Sequence, residues 1–193
     1  MTAASLPIPS TLEGIHEELT RVERRLQRLR WASNPSAWTR ERVGDFLWSK
    51  QDEVLRSVKN HRKTAVMACH APGKSFVAAR AAGWWIDSHK PGEATVVTTA
   101  PTGDQIEKIL WKELRRVHSA GNLLGRMNKT EWLVTVRDPK TGVEKEEFAA
   151  FGRKPADASP VGFQGIHAPY VLVIVDEANG VASNLWSAID SLL

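Results

Sequence analysis

The chain has 193 residues, of which 42% are apolar and 25% charged, a balance that is ordinary for a soluble globular domain with one sizeable core. No apolar run reaches the roughly 18 residues needed to cross a bilayer, and residues 1–10 lack the basic and then apolar layout of a secretory signal, so we expect a cytoplasmic protein. A single cysteine, Cys69, excludes an internal disulfide and a cysteine-based structural zinc site, and the net charge of +4 is compatible with a nucleic-acid partner without requiring one.

The N-terminal segment is predicted to form an amphipathic helix. Ser10 followed by Glu13 has the spacing of a capping box. Apolar residues then recur at spacings of three and four, at Leu12, Ile15, Leu19, Val22, Leu26 and Leu29. This seam lasts only about two and a half heptads, which favours a helix packed on its own domain; self-association or docking to a partner is the alternative.

A linker is predicted to separate this helix from the rest of the chain. Asn34, Pro35 and Ser36 form a turn signal, and nearby aromatic residues would anchor the linker. These aromatic residues are Trp31, Trp38, Phe46 and Trp48. We therefore expect residues 1–44 to form a helical arm with its linker and residues 45–193 to form a separate domain.

Helices and strands alternate in the first half of that domain. Residues 52–60 have the pattern of a short helix, residues 64–68 that of a short apolar strand, and residues 75–88 that of a largely buried helix. Ala94–Thr99 is a β-branched run typical of a buried parallel strand, and residues 104–119 follow as a second crossover helix.

The second half predicts a hairpin, a further strand and the start of a helix. Residues 132–137 and 143–151 alternate in polarity around a turn, which indicates a β-hairpin. A loop rich in Gly, Pro and Ala spans residues 152–169, Tyr170–Val175 is the strongest buried-strand pattern of the chain, and a helix begins near Val181. The order of elements predicts an α/β fold with a mostly parallel sheet and flanking helices.

Residues 68–75 have the composition of a phosphate-binding loop. Such a loop needs a tight turn whose N–H groups converge on an anion, a helix N-terminus behind it, and a lysine that reaches the outer phosphates. Gly73, Lys74 and Ser75 meet these needs, and the Ser75 hydroxyl falls where it can ligate Mg²⁺. The usual pattern begins with glycine, whereas this chain has Ala68, and the alternative interpretation is an ordinary helix start.

Asp176 and Glu177 follow the apolar strand Tyr170–Val175. A nucleotide site needs a buried strand that delivers a carboxylate to Mg²⁺ and a second acidic group that polarises the attacking water. We expect Asp176 to hold the metal and Glu177 to orient and deprotonate the water. The alternative is an acidic helix cap after a core strand.

Four motifs in one order resemble the ATPase domain of the large terminase subunit of tailed bacteriophages. They are residues 69–80 around Gly73-Lys74-Ser75, residues 96–102, residues 162–167, and residues 173–178 around Asp176-Glu177. The resemblance covers roughly residues 45–193. It implies a P-loop NTPase with a RecA-like core that uses ATP and Mg²⁺ to pump double-stranded DNA into a procapsid, in a homo-oligomeric ring with portal protein and small terminase subunit as partners.

The resemblance also assigns roles to single residues. It implies that Lys74 is catalytic and that the nucleotide contacts Cys69, His70, Ala71, Pro72, Gly73, Lys74, Ser75 and Phe76. Gln51 resembles the glutamine that contacts adenine in this family; the alternative is a surface residue that opens a helix. Residues 99–102 either face DNA or turn the chain from strand to helix, and their composition favours the turn.

The chain departs from the family pattern at two places. His70 stands where many terminases have an arginine in the phosphate loop, so either His70 or an arginine from elsewhere contacts the γ-phosphate; Arg80 and Arg153 are candidates within the chain. Only 16 residues follow Glu177, so we expect a chain that is truncated after this motif and has no nuclease domain. The rival functions are a helicase-like DNA-dependent ATPase and an assembly module that binds without turnover.

Overall fold

The computed structural model describes residues 11–69, 72–138, 140–153, 168–181 and 183–190. Its N-terminal half is helical up to the first strand. The helices are α1 (Leu12–Ser33), α2 (Pro35–Trp38, continued by a π-helical turn Thr39–Val43), α3 (Ser49–Asn60) and α4 (Lys74–Ser88). The N-cap of α1 is Thr11, whose hydroxyl accepts a hydrogen bond from the Gly14 N–H at 3.2 Å; the predicted cap Ser10 lies outside the described residues.

The described strands form one five-stranded sheet in the order β2-β3-β4-β1-β5. The strands are β1 (Ala94–Thr99), β2 (Arg126–Met127), β3 (Glu131–Arg137), β4 (Glu144–Arg153) and β5 (Tyr170–Val175). Strand β1 pairs in parallel with β4 and β5, whereas β3 pairs antiparallel with β4 and with β2. The predicted α/β class, the mostly parallel core and the β3–β4 hairpin are therefore confirmed.

Three further helical segments complete the described chain. A helix runs from Gly103 to Ala120 as α5 (Gly103–Gln105), a π-helical turn (Ile106–Leu110) and α6 (Trp111–Ala120), which confirms the predicted second crossover. A short 3₁₀ turn (Ala178–Gly180) precedes α7 (Ser183–Asp190). Within the described ranges, no helix is both long and apolar enough to span a membrane.

The central strand β1 has packed layers on both of its faces. All six of its residues are buried. Val96 belongs to the main core with α4 and α6, whereas its neighbour Val97 packs with Ile189 of α7, because successive strand residues point to opposite faces. This two-sided burial explains why β1 reads as a continuous β-branched run rather than an alternating one.

Large aromatic residues fill the main core, and their polar atoms are satisfied. Trp111 donates its indole N–H to the Thr98 hydroxyl at 2.8 Å, and Trp38 donates its own to Asp87 at 2.8 Å. Helix α4 approaches this region closely at Gly83, where an added Cβ would lie 2.7 Å from Val117 Cγ1 and 2.8 Å from Trp38 Cη2. The glycine therefore permits the contact between α4, α6 and α2.

The predicted strand at residues 64–68 is wrong. These residues belong to no strand, and no described strand pairs with them. Val66 is 42% exposed and Met67 fully exposed. The apolar composition is typical of a strand, but a strand forms only where another backbone pairs with it. The outer edge of β5 could offer such a backbone, yet no described strand lies on it.

Two other expectations about burial differ from the structure. Strand β5 is half-buried along Val171–Val175 rather than fully buried, because only β1 pairs with it. The apolar seam of α1 is exposed rather than packed on its own domain, so the favoured prediction for that helix is wrong. The predicted domain boundary near residue 44 stays a prediction.

Candidate functional site

The phosphate-loop motif leads directly into the N-terminus of α4. Gly73 occupies the capping position with φ +86°, a left-handed conformation that glycine adopts without strain, and its carbonyl accepts the Val77 N–H at 2.9 Å. His70 and Ala71 lie outside the described residues. The free N–H groups of the first turn and the helix dipole make this end of the 15-residue helix electropositive.

The second half of the predicted site reaches the same place. Asp176 follows β5, and its N–H donates to the Thr99 carbonyl at 2.9 Å, which extends the β1–β5 ladder by one step. The Ser75 hydroxyl donates a hydrogen bond to Asp176 Oδ2 at 3.1 Å, across 101 positions of sequence. The loop motif and the acidic motif therefore meet at the carboxyl ends of β1 and β5.

Lys74 lies folded over its own loop. Its ammonium donates to the Cys69 carbonyl at 2.9 Å and to the Ala68 carbonyl at 3.3 Å. Lys74 is itself the first residue of α4, so its side chain starts at the helix N-terminus. An anion seated there would compete with these carbonyls for the ammonium, because a phosphate oxygen is the stronger, charged acceptor.

Glu177 has an unusual backbone conformation. Its φ of 49° and ψ of 50° are left-handed, which is uncommon for a residue other than glycine, and its N–H donates to Asp176 Oδ1 at 3.0 Å. Both oxygens of Asp176 are therefore hydrogen-bonded, whereas Glu177 is exposed. Left-handed non-glycine residues concentrate at functional sites, where surrounding structure holds them.

Gln51 lies against the loop. A Cβ added to Gly73 would stand 2.5 Å from the Gln51 Nε2 atom, so the first turn of α3 places this amide directly over the glycine. Gln51 is half-buried rather than a free surface residue. The structure therefore brings together Gln51, Lys74, Ser75 and Asp176, which the sequence had grouped.

Arg80 takes no part in this grouping. The residue is fully buried, donates from Nε to Asp45 Oδ2 at 2.9 Å and from Nη1 to Glu113 Oε2 at 2.9 Å, and stacks 3.4 Å from the centroid of the Phe76 ring. Its charge is thus committed to two carboxylates within the fold. The other candidate, Arg153, lies 4.9 Å from the Phe151 ring at the end of β4.

The segment 99–102 forms the turn that the sequence favoured. The Thr102 hydroxyl caps the next helix by accepting the Gln105 N–H at 3.3 Å, and a Cβ added to Gly180 would lie 2.6 Å from Pro101. This turn therefore packs against the chain just beyond Glu177. The predicted motif at residues 162–167 lies outside the described residues.

Thr99 is a further residue at this candidate site, and the sequence did not single it out by itself. It is fully buried at the carboxyl end of β1, and its hydroxyl oxygen has no hydrogen-bond partner among the described residues. Its backbone carbonyl already accepts the hydrogen bond from the Asp176 N–H. The position is the signal that identifies it, since ligands of open α/β sheets bind beyond the carboxyl ends of the strands.

No family model matches the chain, and no curated protein matches it. Among solved structures, the chain is similar to the large terminase ATPase domain of Thermus phage P74-26, with a TM-score of 0.56 and 23% identity over 82% of this chain and 64% of that one. The same domain with an arginine replaced by alanine gives a TM-score of 0.55 and 22% identity over the same shares. The chain therefore has the fold of that ATPase domain and spans 64% of its length.

Proposed function

We propose that the chain binds ATP with Mg²⁺ between the N-terminus of α4 and the carboxyl ends of β1 and β5. The observation that carries this proposal is the 3.1 Å hydrogen bond from Ser75 to Asp176, because it joins a hydroxyl and a carboxylate at a helix N-terminus. Both are hard oxygen ligands of the kind that Mg²⁺ prefers, and adjacent phosphates would complete its coordination.

The phosphates are bound by positive charge and N–H groups. The first turn of α4 supplies N–H donors, and Lys74 exchanges its present carbonyl acceptors for phosphate oxygens. The loop from Cys69 to Phe76 surrounds the phosphates, and the Gln51 amide, which lies over Gly73, binds the base. His70 or an arginine from a neighbouring subunit contacts the γ-phosphate, because Arg80 is engaged by Asp45 and Glu113.

Hydrolysis is assigned to the exposed acidic residue. Glu177 orients and deprotonates the attacking water, while Asp176 and Ser75 hold the metal ion. The two carboxylates differ in environment, since Asp176 accepts two hydrogen bonds and Glu177 has an exposed side chain with a left-handed backbone. A group that must exchange protons with water needs this access.

The motor function is part of the same proposal. We infer that the domain is the ATPase of a phage large terminase that drives packaging of double-stranded DNA in the cytoplasm of the bacterial host. The fold likeness and the order of the four motifs support it. Its partners are then DNA, a portal protein, a small terminase subunit and further copies of the chain in a ring.

A second candidate is an assembly module that binds nucleotide without turnover. The observation that favours it is the segment 64–69, which precedes the phosphate loop and pairs with no described strand. A loop whose preceding residues lack sheet support is held less rigidly, and catalysis depends on rigid placement of the reacting groups.

The test is nucleotide binding and phosphate release by the purified chain, with and without double-stranded DNA. We expect Lys74→Ala to weaken ATP binding at least about tenfold, and Glu177→Gln to retain binding while hydrolysis falls by roughly a hundredfold or more. Glu144→Gln makes the same change at an exposed site on β4 and serves as the control. DNA-stimulated turnover supports the motor, and binding without turnover supports the module.

Unchanged nucleotide binding by Lys74→Ala would refute the site itself. Normal turnover by Glu177→Gln would refute the assignment of the base. DNA translocation by the chain without portal or procapsid would favour a helicase-like ATPase over a packaging motor.

A further inference from the structure

The apolar seam of α1 lies on the surface. Its six residues are between 42% and 87% exposed, and no described part of the chain covers them. They are Leu12, Ile15, Leu19, Val22, Leu26 and Leu29. A contiguous exposed apolar stripe of this length marks an interaction surface, whereas single exposed apolar residues are ordinary.

The C-terminal end of α1 holds the helix to the domain. Trp31 is buried, its carbonyl accepts the Trp84 indole N–H at 2.8 Å, and its own indole donates to Glu41 at 3.1 Å. Residues advance by about 100° around a helix, so Trp31 lies on the side of α1 opposite to the seam. The domain therefore presents the seam outward instead of covering it.

The spacing of the seam is that of a helix pair. Steps of three and four alternate without interruption from Leu12 to Leu29, which places the six residues at the a and d positions of successive heptads. The stripe is narrow, whereas a helix that packs on a domain shows a wider apolar face. The partner that this surface fits is another helix with the same narrow seam.

We propose that two copies of this chain associate through α1 as an antiparallel helix pair. In this arrangement the seam matches itself about a two-fold axis. Leu12 lies level with the partner's Leu29, Ile15 with the partner's Leu26, and Leu19 with the partner's Val22. Every layer then joins an a position to a d position, and no apolar residue is left without a counterpart.

The charges beside the seam select the antiparallel orientation. On one side of the pair, Glu18 and the partner's Arg25 are offset by only about 3 Å along the helix axis. On the other side, Glu23 and the partner's His16 have the same offset. Each contact occurs twice in the pair. All four contacts bring a carboxylate to a basic side chain.

A parallel pair would bring like charges together. It would place Glu18 beside the partner's Glu23 and Arg25 beside the partner's Arg30. Within each copy Arg30 is paired with Glu41 at 2.5 Å and Glu18 with Arg21 at 3.4 Å, which weakens both repulsions of the parallel form but turns neither into an attraction. A pair with a two-fold axis uses both seams, so it joins two copies only. The pairing is independent of the nucleotide site.

The first experiment measures self-association of the full chain by sedimentation equilibrium. We expect a reversible dimer that Leu19→Glu weakens by roughly a hundredfold, because the substitution places a charge in two central layers of the pair. Gln27→Glu makes the same change of charge on the same exposed helix outside the seam and should leave the dimer intact. A chain that stays monomeric up to about 1 mM, or a dimer that Leu19→Glu does not weaken, overturns the proposal.

The second experiment determines the orientation by disulfide cross-linking in a Cys69→Ser background. In an antiparallel pair the two copies of residue 12 lie about 26 Å apart, too far for a disulfide, whereas residue 12 faces residue 29. We expect Leu12→Cys together with Leu29→Cys to cross-link under oxidation, and Leu12→Cys alone to remain uncross-linked. Efficient cross-linking of the single variant would show a parallel pair and overturn the proposal.

Charge reversal tests the orientation without a covalent bond. We expect Glu18→Arg and Arg25→Glu each to weaken the dimer about three- to tenfold at low salt, and the double variant to restore it. In a parallel pair each single reversal would instead relieve a repulsion. Tightening by either single variant therefore overturns the antiparallel arrangement.

Discussion

Replacing Arg80 by methionine would remove a fully buried cation from between two carboxylates. Arg80 donates to Asp45 and Glu113 at 2.9 Å each and to the Phe76 carbonyl at 3.1 Å. Removing one member of a buried ion pair costs about 3–5 kcal/mol. The Asp45 and Glu113 side chains remain 20% and 27% exposed, so water compensates part of the loss, and we expect the free energy of unfolding to fall by about 2–3 kcal/mol.

Urea unfolding measures this loss of unfolding free energy directly. Thermal unfolding should show it as a decrease in Tm of about 5–10 °C. Arg126→Met is the matched control, because Arg126 makes an equally short ion pair with Glu146 at 2.8 Å but both side chains are about half exposed. We expect that control to cost no more than about 1 kcal/mol. Equal losses of stability for the two variants would refute the burial argument. An Arg80→Met chain that remains stable but no longer hydrolyses ATP would indicate that Arg80 contacts the nucleotide after all.

Three further predictions follow from close contacts and burial. Gly44 and Gly73 both have a left-handed backbone, with φ of +82° and +86°, so alanine at either position carries a backbone cost of about 1 kcal/mol. An added methyl group meets nothing within 4 Å at Gly44 but meets Gln51 at Gly73, so calorimetry should show weaker nucleotide binding for Gly73→Ala alone; equal affinities would contradict the contact. Gly83→Ala should lower Tm, because the new methyl group would overlap Val117 and Trp38 at a cost of about 1–3 kcal/mol. The higher helix propensity of alanine offsets only about 1 kcal/mol of this cost, and a higher Tm would refute the prediction. Burial lowers the pKa of His118 below its ordinary 6.5, so the unfolded chain binds a proton at this residue more readily than the folded chain does. The contribution of neutral His118 to the free energy of unfolding is therefore fully present above pH 6.5 and is lost as the pH falls towards the lowered pKa. In unfolding measured from pH 7.5 to 5, His118→Phe should reduce this loss relative to the unaltered chain, and an unchanged slope would contradict it.

The course of the segment before the phosphate loop shows the limit of pattern reasoning. Residues 64–68 and β5 are both short apolar runs, yet only β5 is a strand. The difference is a neighbour, because β1 offers β5 a complete ladder from Ala94 to Thr99. Composition indicates that a segment can pair, whereas the path of the chain decides whether the segment reaches a strand edge; the outer edge of β5 has no described partner, yet residues 64–68 do not pair with it.

The residues of the candidate site were easier to predict from the sequence than the contacts around them. Residue type and local order were enough to select Lys74, Ser75, Asp176 and Glu177. The Ser75–Asp176 hydrogen bond confirms that the two motifs meet. Their roles with nucleotide remain proposals. The partners of Arg80 had no signal in the sequence, since Asp45 and Glu113 are 35 and 33 residues away and belong to no motif.

The sequence by itself determined the elements whose formation depends on near neighbours, namely the long helices and the hairpin, and it identified the apolar run of β1 and the two motifs at the site. Only the tertiary structure decided which apolar surfaces are covered. The seam of α1 and the run 64–68 both predicted burial and are exposed, because the elements that would cover them must come from distant parts of the chain or from another molecule. Local order encodes which surface is apolar, while the three-dimensional arrangement determines whether anything lies against it.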